Sequence, residues 1–181
     1  MILEDLKGKI AVVTGASQGI GKTTSELLLK QKTKVIGIDC NDATIKNANY
    51  YHYPCNLQLT EEIEKVFNSI NKKTKSIDYL VNVAGIDPKI SIEEVDESRW
   101  NEIVNINLRG YYFCIRSSLK MLRKGKGKSI VNLSSINYRL GVPGRSVYST
   151  TKAGIIGLTS GLARELGKEG IFSKLNSFLN K

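Results

Sequence analysis

The sequence is poor in several residue types that define specialised classes of protein. The single histidine among 181 residues, His52, stands in Y-H-Y-P with no Ser/Asp or Cys partner suggested, which argues against a histidine-based catalytic triad. Only three prolines occur, none after Pro143, so no proline-rich linker divides the chain. The cysteines are odd in number and lack metal-site spacing, which excludes a disulfide framework and is typical of a reduced protein: Cys40, Cys55 and Cys114. We therefore expect one domain over residues 1–181, with no metal site.

Long apolar runs are also missing. No stretch approaches the ~18 apolar residues that span a bilayer, and the first nine residues carry Glu4 and Asp5 instead of the apolar core of a signal peptide. We expect a cytoplasmic protein that does not enter a membrane. The net charge of +10 raises nucleic-acid binding as an alternative. The densest basic stretch, residues 123–128, has no interleaved aromatics, so a solvated loop is favoured and no nucleic-acid partner is expected.

Short apolar runs alternate with segments of helical periodicity along the chain. Strands are predicted at residues 9–14, 33–38, 50–54, 77–83 and 128–133, and helices at 20–31, 60–71, 97–122 and 146–167. This alternation predicts an α/β fold, a Rossmann-type doubly wound parallel sheet with strand order 3-2-1-4-5. Ligands bind such a sheet outside the carboxyl ends of its strands, where strands 1 and 4 diverge.

The first strand runs into a glycine-rich loop, T-G-A-S-Q-G-I-G, at residues 14–21. Glycine allows a tight turn and a close approach of backbone to a pyrophosphate. The following helix begins near Ile20, so its unpaired N–H groups face the phosphates. The position between a strand and a helix favours a dinucleotide site over an ordinary turn. The predicted contacts are Gly15, Ser17, Gln18, Gly19, Ile20 and Gly21.

An acidic residue, Asp39, ends the second strand, 18 residues after Gly21. A carboxylate there accepts hydrogen bonds from ribose hydroxyls and repels a 2′-phosphate. No Arg or Lys lies in the loop or at residues 40–41 to pair with such a phosphate. The sequence therefore favours NAD as cofactor over NADP.

A second motif, Y-S-T-T-K, places Tyr148 and Lys152 four residues apart on one face of a helix. A free tyrosine has a pKa of about 10, and a nearby ammonium group lowers that value. Such a pair is suited to moving a proton on and off an alcohol oxygen.

Three further motifs accompany this pair. Ser135 ends the strand V-N-L-S-S thirteen residues before Tyr148, the fourth strand ends in N-V-A-G at residues 82–85, and N-I-N-L-R-G contains Asn107. Together these motifs resemble the short-chain dehydrogenase/reductase family, in particular its 3-oxoacyl reductases, over residues 6–171. The resemblance implies an NAD(H)-dependent oxidoreductase that interconverts a secondary alcohol and a ketone.

The resemblance also implies a role for each motif residue. Tyr148 looks like the catalytic acid/base, and Lys152 like the residue that lowers the tyrosine pKa and binds the nicotinamide ribose. Ser135 looks like the donor to the substrate oxygen, and its neighbour Ser134 is the alternative. Asn107 resembles the asparagine that supports a proton relay to the lysine.

Other positions match the family's adenosine side. Asn82, Ala84 and Gly85 correspond to a segment that stabilises the sheet and lies along the adenosine. Asn56 and Leu57 correspond to the adenine contact, where Asn56 replaces the usual Asp and still offers a carbonyl acceptor. Family members commonly form homodimers or homotetramers through the two long helices, here residues 97–122 and 146–167, so a homo-oligomer is expected.

The end of the sequence departs from the family pattern at residues 172–181. Members usually continue with further strands, a Pro-Gly segment and a substrate loop. Without them, strand five is expected to lie at the sheet edge, with the substrate pocket open to water. A catalytically impaired remnant that at most binds dinucleotide is therefore the alternative to an active enzyme.

Overall fold

Six parallel strands form the centre of the fold. The protein is described here by a computed structural model covering residues 3–178. The strands lie in the order β3-β2-β1-β4-β5-β6, which confirms the order predicted for the first five. Their bounds are β1 Ile10–Thr14, β2 Lys34–Asp39, β3 Tyr50–Pro54, β4 Tyr79–Asn82, β5 Ser129–Ser135 and β6 Phe172–Phe178.

Helices connect most of these strands and pack against the sheet, and only the connection from β2 to β3 in the described residues lacks a helix. Their bounds are α1 Gly19–Lys30, α2 Thr60–Lys73, α3 Glu97–Val104, α4 Gly110–Leu122, α5 Asn137–Leu140 and α6 Ser146–Gly167. The prediction of one continuous helix over residues 97–122 is wrong in one respect, because a π-helical turn at Asn105–Arg109 separates α3 from α4. Within residues 3–178, every helix is too short or too polar to cross a lipid bilayer.

Strand β6 corrects the expectation that strand five lies at the sheet edge. It pairs with β5 in parallel along its whole length, from Ser129 opposite Phe172 to Ser135 opposite Phe178. The chain leaves α6 through Gly170, whose φ of +71° suits glycine, and buries Ile171 completely in the core. This short connection returns the chain beside β5, as expected for a strand that follows a crossover helix.

The larger apolar core lies between the sheet and helices α2, α4 and α6. Residues such as Leu80 on β4 and Ile130 on β5 are fully buried there against Ile63, Phe67 and Ile115. The opposite face packs against α1 through a smaller cluster that includes Val13 and Val35. Loops meet at the carboxyl ends of the strands, where a parallel sheet of this kind forms its ligand site.

Asp78, just before β4, joins three parts of the sheet. Its buried carboxylate accepts hydrogen bonds from the backbone N–H groups of Ile10 at 2.9 Å, Lys126 at 2.8 Å and Gly127 at 3.0 Å. We expect Asp78→Ala to lower the free energy of unfolding by about 3 kcal/mol, because buried donors lose a charged acceptor. Urea denaturation measures this value. Glu93→Ala, at an exposed loop position, is the control, and equal stability of the two variants would contradict the prediction.

Candidate active site

The glycine-rich loop connects β1 to α1 in a shape that side chains cannot occupy. Gly15 and Gly19 have positive φ values of +69° and +52°. A Cβ on Gly15 would lie 2.8 Å from the Cα of Ala84, and one on Gly21 would lie 2.0 Å from the carbonyl oxygen of Gly15. The loop and the chain after β4 therefore pack backbone against backbone, and the first turn of α1 begins beside them.

This loop forms one wall of a cavity of about 520 Å³ at the carboxyl ends of the strands. The volume is within the range of small-molecule and cofactor sites. The sequence-predicted residues that line it are Gly15, Gln18, Gly19, Ile20, Gly21, Asp39, Asn56, Leu57, Ala84, Gly85, Ser135, Tyr148 and Lys152. The structure thus brings both ends of the predicted site together in one cleft. Three predicted residues lie behind its walls: Ser17, Asn82 and Asn107.

The carboxylate of Asp39, at the end of β2, is held by backbone N–H groups, one of them from the glycine-rich loop. Its Oδ2 accepts a hydrogen bond from the N–H of Ser17 at 2.9 Å, and its Oδ1 accepts one from the N–H of Asn41 at 2.9 Å. Ser17 therefore fixes the carboxylate instead of lining the cavity. A carboxylate oxygen has more than one lone pair, so Asp39 keeps acceptor capacity for a ribose diol.

Two further predicted residues, Asn82 and Asn56, make side-chain hydrogen bonds to nearby residues. Asn82 is fully buried and donates from Nδ2 to Oδ1 of Asn132 at 2.9 Å, and Asn132 donates to Thr159 of α6 at 3.1 Å. Asn82 thus helps to join the sheet to α6. Asn56 lines the cavity, and its Oδ1 accepts the N–H of Gln58 at 3.0 Å, which leaves the second lone pair of this oxygen for the expected adenine contact.

Asn107 lies in the π-helical turn and clamps the chain that follows β4. Its Oδ1 accepts from the N–H of Ile86 at 2.9 Å, and its Nδ2 donates to the carbonyl of Ile86 at 2.8 Å. The side chain is fully buried and lies close to Gly85, whose added Cβ would be 3.2 Å from its Oδ1. π-Helical turns commonly mark functional positions, and here the turn brings an asparagine against the cavity wall.

Tyr148 and Lys152 lie on one face of α6, as their spacing predicts. The Nζ of Lys152 donates to the carbonyl of Leu133 at 2.9 Å and lies 5.6 Å from the ring centre of Tyr148. The hydroxyl of Ser134 donates to the carbonyl of Lys152 at 2.8 Å, whereas Ser135 lies beside the phenol of Tyr148. The Oγ of Ser135 accepts the N–H of Asn137 at 3.3 Å, so its hydroxyl proton is still available for another acceptor, whereas that of Ser134 is engaged.

Burial dominates the protonation of both side chains. It raises the pKa of Tyr148 from its ordinary value of 10.0, while the Ser135 hydroxyl and Arg145 oppose the rise and Asp87 adds to it. Burial lowers the pKa of Lys152 from 10.5 to about 8, opposed by Asp87. The net effect on Tyr148 is a raised pKa, because desolvation of a tyrosine that is only 7% exposed outweighs the groups that lower it, and the expected effect of Lys152 on this pKa stays a prediction.

Sequence reasoning missed three residues beside this pair. Asp87 lines the cavity just after β4, and Arg145 directly precedes α6. Tyr111 of α4 is fully buried with its ring centre 5.3 Å from the Nζ of Lys152. The only sequence signal was position, since Asp87 follows N-V-A-G-I and Arg145 stands three residues before Tyr148.

The chain is similar to known dehydrogenases and reductases. The family model described as short chain dehydrogenase matches residues 9–174. The chain is 34% identical over 173 residues to a 3-oxoacyl-[acyl-carrier-protein] reductase of Vibrio harveyi, a match that covers 92% of the chain and 71% of that protein. It is 35% identical over 179 residues to D-xylose 1-dehydrogenase of Caulobacter vibrioides, covering 94% and 71%. The chain thus spans about 71% of the length of these relatives.

Solved structures show the same architecture. The aldohexose dehydrogenase of Thermoplasma acidophilum, in ligand-free form, superposes with a TM-score of 0.85 at 31% identity, covering 97% of this chain and 66% of that one. A short chain dehydrogenase from Leptospira borgpetersenii with bound NAD⁺ superposes with a TM-score of 0.90 at 28% identity, covering 99% and 76%.

Proposed function

The chain belongs to the short-chain dehydrogenase family of oxidoreductases, and from that premise we propose that it uses NAD(H) to interconvert a secondary alcohol and a ketone. One observation carries the proposal. A single cleft has a glycine loop and Asp39 along one part of its wall, and Ser135, Tyr148 and Lys152 along another. The first set suits a dinucleotide, and the second suits a reacting carbonyl.

Tyr148 is the group that moves the proton in this proposal. Because burial raises its pKa, the phenol is protonated at neutral pH and can donate to a carbonyl oxygen that gains negative charge. Ser135 donates a second hydrogen bond to the same oxygen, and this placement of two donors stabilises the developing charge. In the opposite direction, the phenolate of Tyr148 accepts the proton of the alcohol.

Lys152 keeps a positive charge beside the reacting groups. Burial lowers its pKa to about 8, so the ammonium form dominates below that pH and is lost above it. Its contacts with the carbonyl of Leu133 and the ring of Tyr111 hold the side chain in place. A bound nicotinamide dinucleotide would supply the hydride donor or acceptor, and in this proposal Lys152, which lines the cavity, binds its nicotinamide ribose.

The residues present fit such a cofactor. A Cβ on Gly15 would overlap the backbone of Ala84 and one on Gly21 would overlap the backbone of Gly15, so these glycines allow the close backbone packing that shapes the loop at the cavity wall. The carboxylate of Asp39 suits the ribose hydroxyls of NAD and would repel a 2′-phosphate. That the Leptospira borgpetersenii structure contains NAD⁺ adds support from a similar protein.

Asp39→Asn tests the choice of cofactor. The change removes the negative charge at nearly constant shape, and we expect the affinity ratio of NAD to NADP to fall by about tenfold, because repulsion of the 2′-phosphate is lost. Isothermal titration with both dinucleotides measures the ratio. Asp42→Asn removes an exposed charge three residues away and is the matched control. An unchanged ratio in Asp39→Asn would show that another group selects the cofactor.

The activity itself is tested on the purified chain with NAD and NADP in both redox states. The substrates are 3-oxoacyl thioesters, aldoses and simple secondary alcohols and ketones, and the readout is the absorbance of reduced nicotinamide. Turnover supports the proposal, and absence of both turnover and binding overturns it. Dinucleotide binding without turnover would instead support the impaired remnant that the sequence raised as the alternative. The homodimer or homotetramer stays a prediction.

A further inference from the structure

An ion pair stands beside the reactive side chains and has no part in the proton transfer described above. Nη1 of Arg145 lies 2.9 Å from Oδ2 of Asp87, and the two side chains are only 25% and 21% exposed. Asp87 lies on the segment after β4 and lines the cavity, while Arg145 stands three residues before Tyr148. We call this ion pair the charge clasp.

The charge clasp is reinforced by the backbone around it. The N–H of Ile90 donates to the carbonyl of Gly144 at 2.8 Å, so the segments before α6 and after β4 are joined twice. Among the described residues, Oδ1 of Asp87 and Nε of Arg145 are buried without a hydrogen-bond partner. Unpaired buried polar atoms cost free energy, and charges shielded from water act more strongly on their neighbours.

We propose that Asp87 and Arg145 are positioning residues whose opposite charges set the protonation of the reactive pair, Asp87 by holding the positive charge of Lys152 and Arg145 by favouring the phenolate of Tyr148. The catalytic role of the two residues rests on the proposed function. Their effect on the ionisation of Tyr148 and Lys152 does not, and it can be measured without cofactor or substrate.

The groups that face the reactive pair come from four elements. They are Ser135 of β5, Tyr111 of α4, Asp87 after β4, and Arg145 before α6, with the backbone carbonyl of Leu133 against Lys152. Of these, only Asp87 and Arg145 carry a full charge at neutral pH. The clasp is therefore the local source of electrostatic bias on the pair.

The two partners act on Tyr148 with opposite sign. Burial is the largest effect on its pKa, but Asp87 raises that pKa further and Arg145 lowers it. Asp87 also raises the pKa of Lys152, which burial lowers. Neutralising Asp87 must then let Tyr148 ionise at lower pH, and neutralising Arg145 must delay its ionisation to higher pH.

If the ion pair only held the two segments together, the two substitutions would not affect the Tyr148 titration in opposite ways. Either substitution would then break the same contact and loosen the same segments, so both variants would change in the same direction. Opposite shifts distinguish an electrostatic role from a structural one.

The experiment follows the ultraviolet absorbance of tyrosinate during a pH titration without any cofactor. The Tyr148 contribution is the difference between each protein and the same protein carrying Tyr148→Phe. We expect Asp87→Asn to increase the ionised fraction of Tyr148 about threefold at a pH below its midpoint, and Arg145→Gln to decrease it about threefold. Circular dichroism at each pH confirms that the variants are folded.

Two controls accompany these variants. Arg145→Lys keeps the charge and should restore the wild-type titration. Glu169→Gln breaks the exposed Arg123–Glu169 pair, which lies 21 residues beyond Tyr148 past the far end of α6, and should leave the titration unchanged. If Arg145→Gln does not fold, Arg145→Met removes the charge with an apolar stem of similar reach.

The outcomes separate this inference from the proposed function. Shifts of Asp87→Asn and Arg145→Gln in the same direction, or no shift in either, overturn the charge clasp even if the protein is an active dehydrogenase. Opposite shifts support it even if no turnover is found. Where turnover is measured, the pH profile of kcat for alcohol oxidation should move in the same two directions as the titration.

Discussion

Replacing Tyr148 by Phe is expected to lower turnover by about 10³-fold. The substitution removes only the phenolic hydroxyl. In the proposed mechanism this hydroxyl is the group that gives the proton to the substrate oxygen and takes it back. The ring remains to fill its buried position, so the fold should persist. Dinucleotide affinity should change little, because the glycine loop and Asp39 lie at another part of the cleft.

Steady-state kinetics and a binding titration check this result together. Tyr51→Phe, a tyrosine on β3 that is 48% exposed, loses the same atom away from the cleft and should behave like the wild type. Full activity of Tyr148→Phe would remove Tyr148 from the mechanism. Loss of dinucleotide binding together with activity would mean that the variant disturbs the cleft as a whole.

Gly21→Ala is expected to weaken dinucleotide binding by about 10²-fold and to lower the free energy of unfolding by about 2 kcal/mol. An added Cβ would lie 2.0 Å from the carbonyl oxygen of Gly15 and 3.2 Å from that of Thr14. Both atoms belong to backbone, so the loop must move to relieve the overlap. The movement spoils the surface that would face the phosphates.

The same substitution elsewhere in the chain provides the comparison. Gly157 lies at an exposed position of α6, and a Cβ there meets no atom within 4 Å. Gly157→Ala should stabilise the protein by about 0.5–1 kcal/mol through higher helix propensity, with unchanged binding. Calorimetry and dinucleotide titration measure both variants. Wild-type affinity in Gly21→Ala would show that the loop tolerates a side chain.

Local spacing was enough to predict much of this molecule. Three features of the site are defined by residues close together in the sequence: the glycine loop, Asp39 and the Tyr148–Lys152 pair. Such motifs can be recognised without knowledge of the fold. The alternation of strands and helices predicted the order of the first five strands, because parallel units obey a fixed handedness. Whether Tyr148 acts as predicted depends on the experiments above.

Other features depend on contacts that no short pattern records. The sequence could not show that Asn107 clamps Ile86, that Ser134 is engaged by the carbonyl of Lys152, or that burial would raise the Tyr148 pKa. Desolvation depends on everything packed around a group, and its neighbours here come from several elements.

The strand β6 illustrates the same limit. Residues 172–178 lack a strong apolar pattern, with Phe172 and Leu175 exposed at 62% and 40%, so the sequence suggested no strand there. Backbone hydrogen bonds to β5, once α6 has returned the chain to the sheet, are what define it.

The sequence by itself determined the fold class and the two ends of the cleft, because the residues of each motif are neighbours along one strand end or one helix face. The tertiary structure alone decided that Asp87 and Arg145, 58 positions apart, meet beside Tyr148. Charges act through space, and only the folded chain brings these two together.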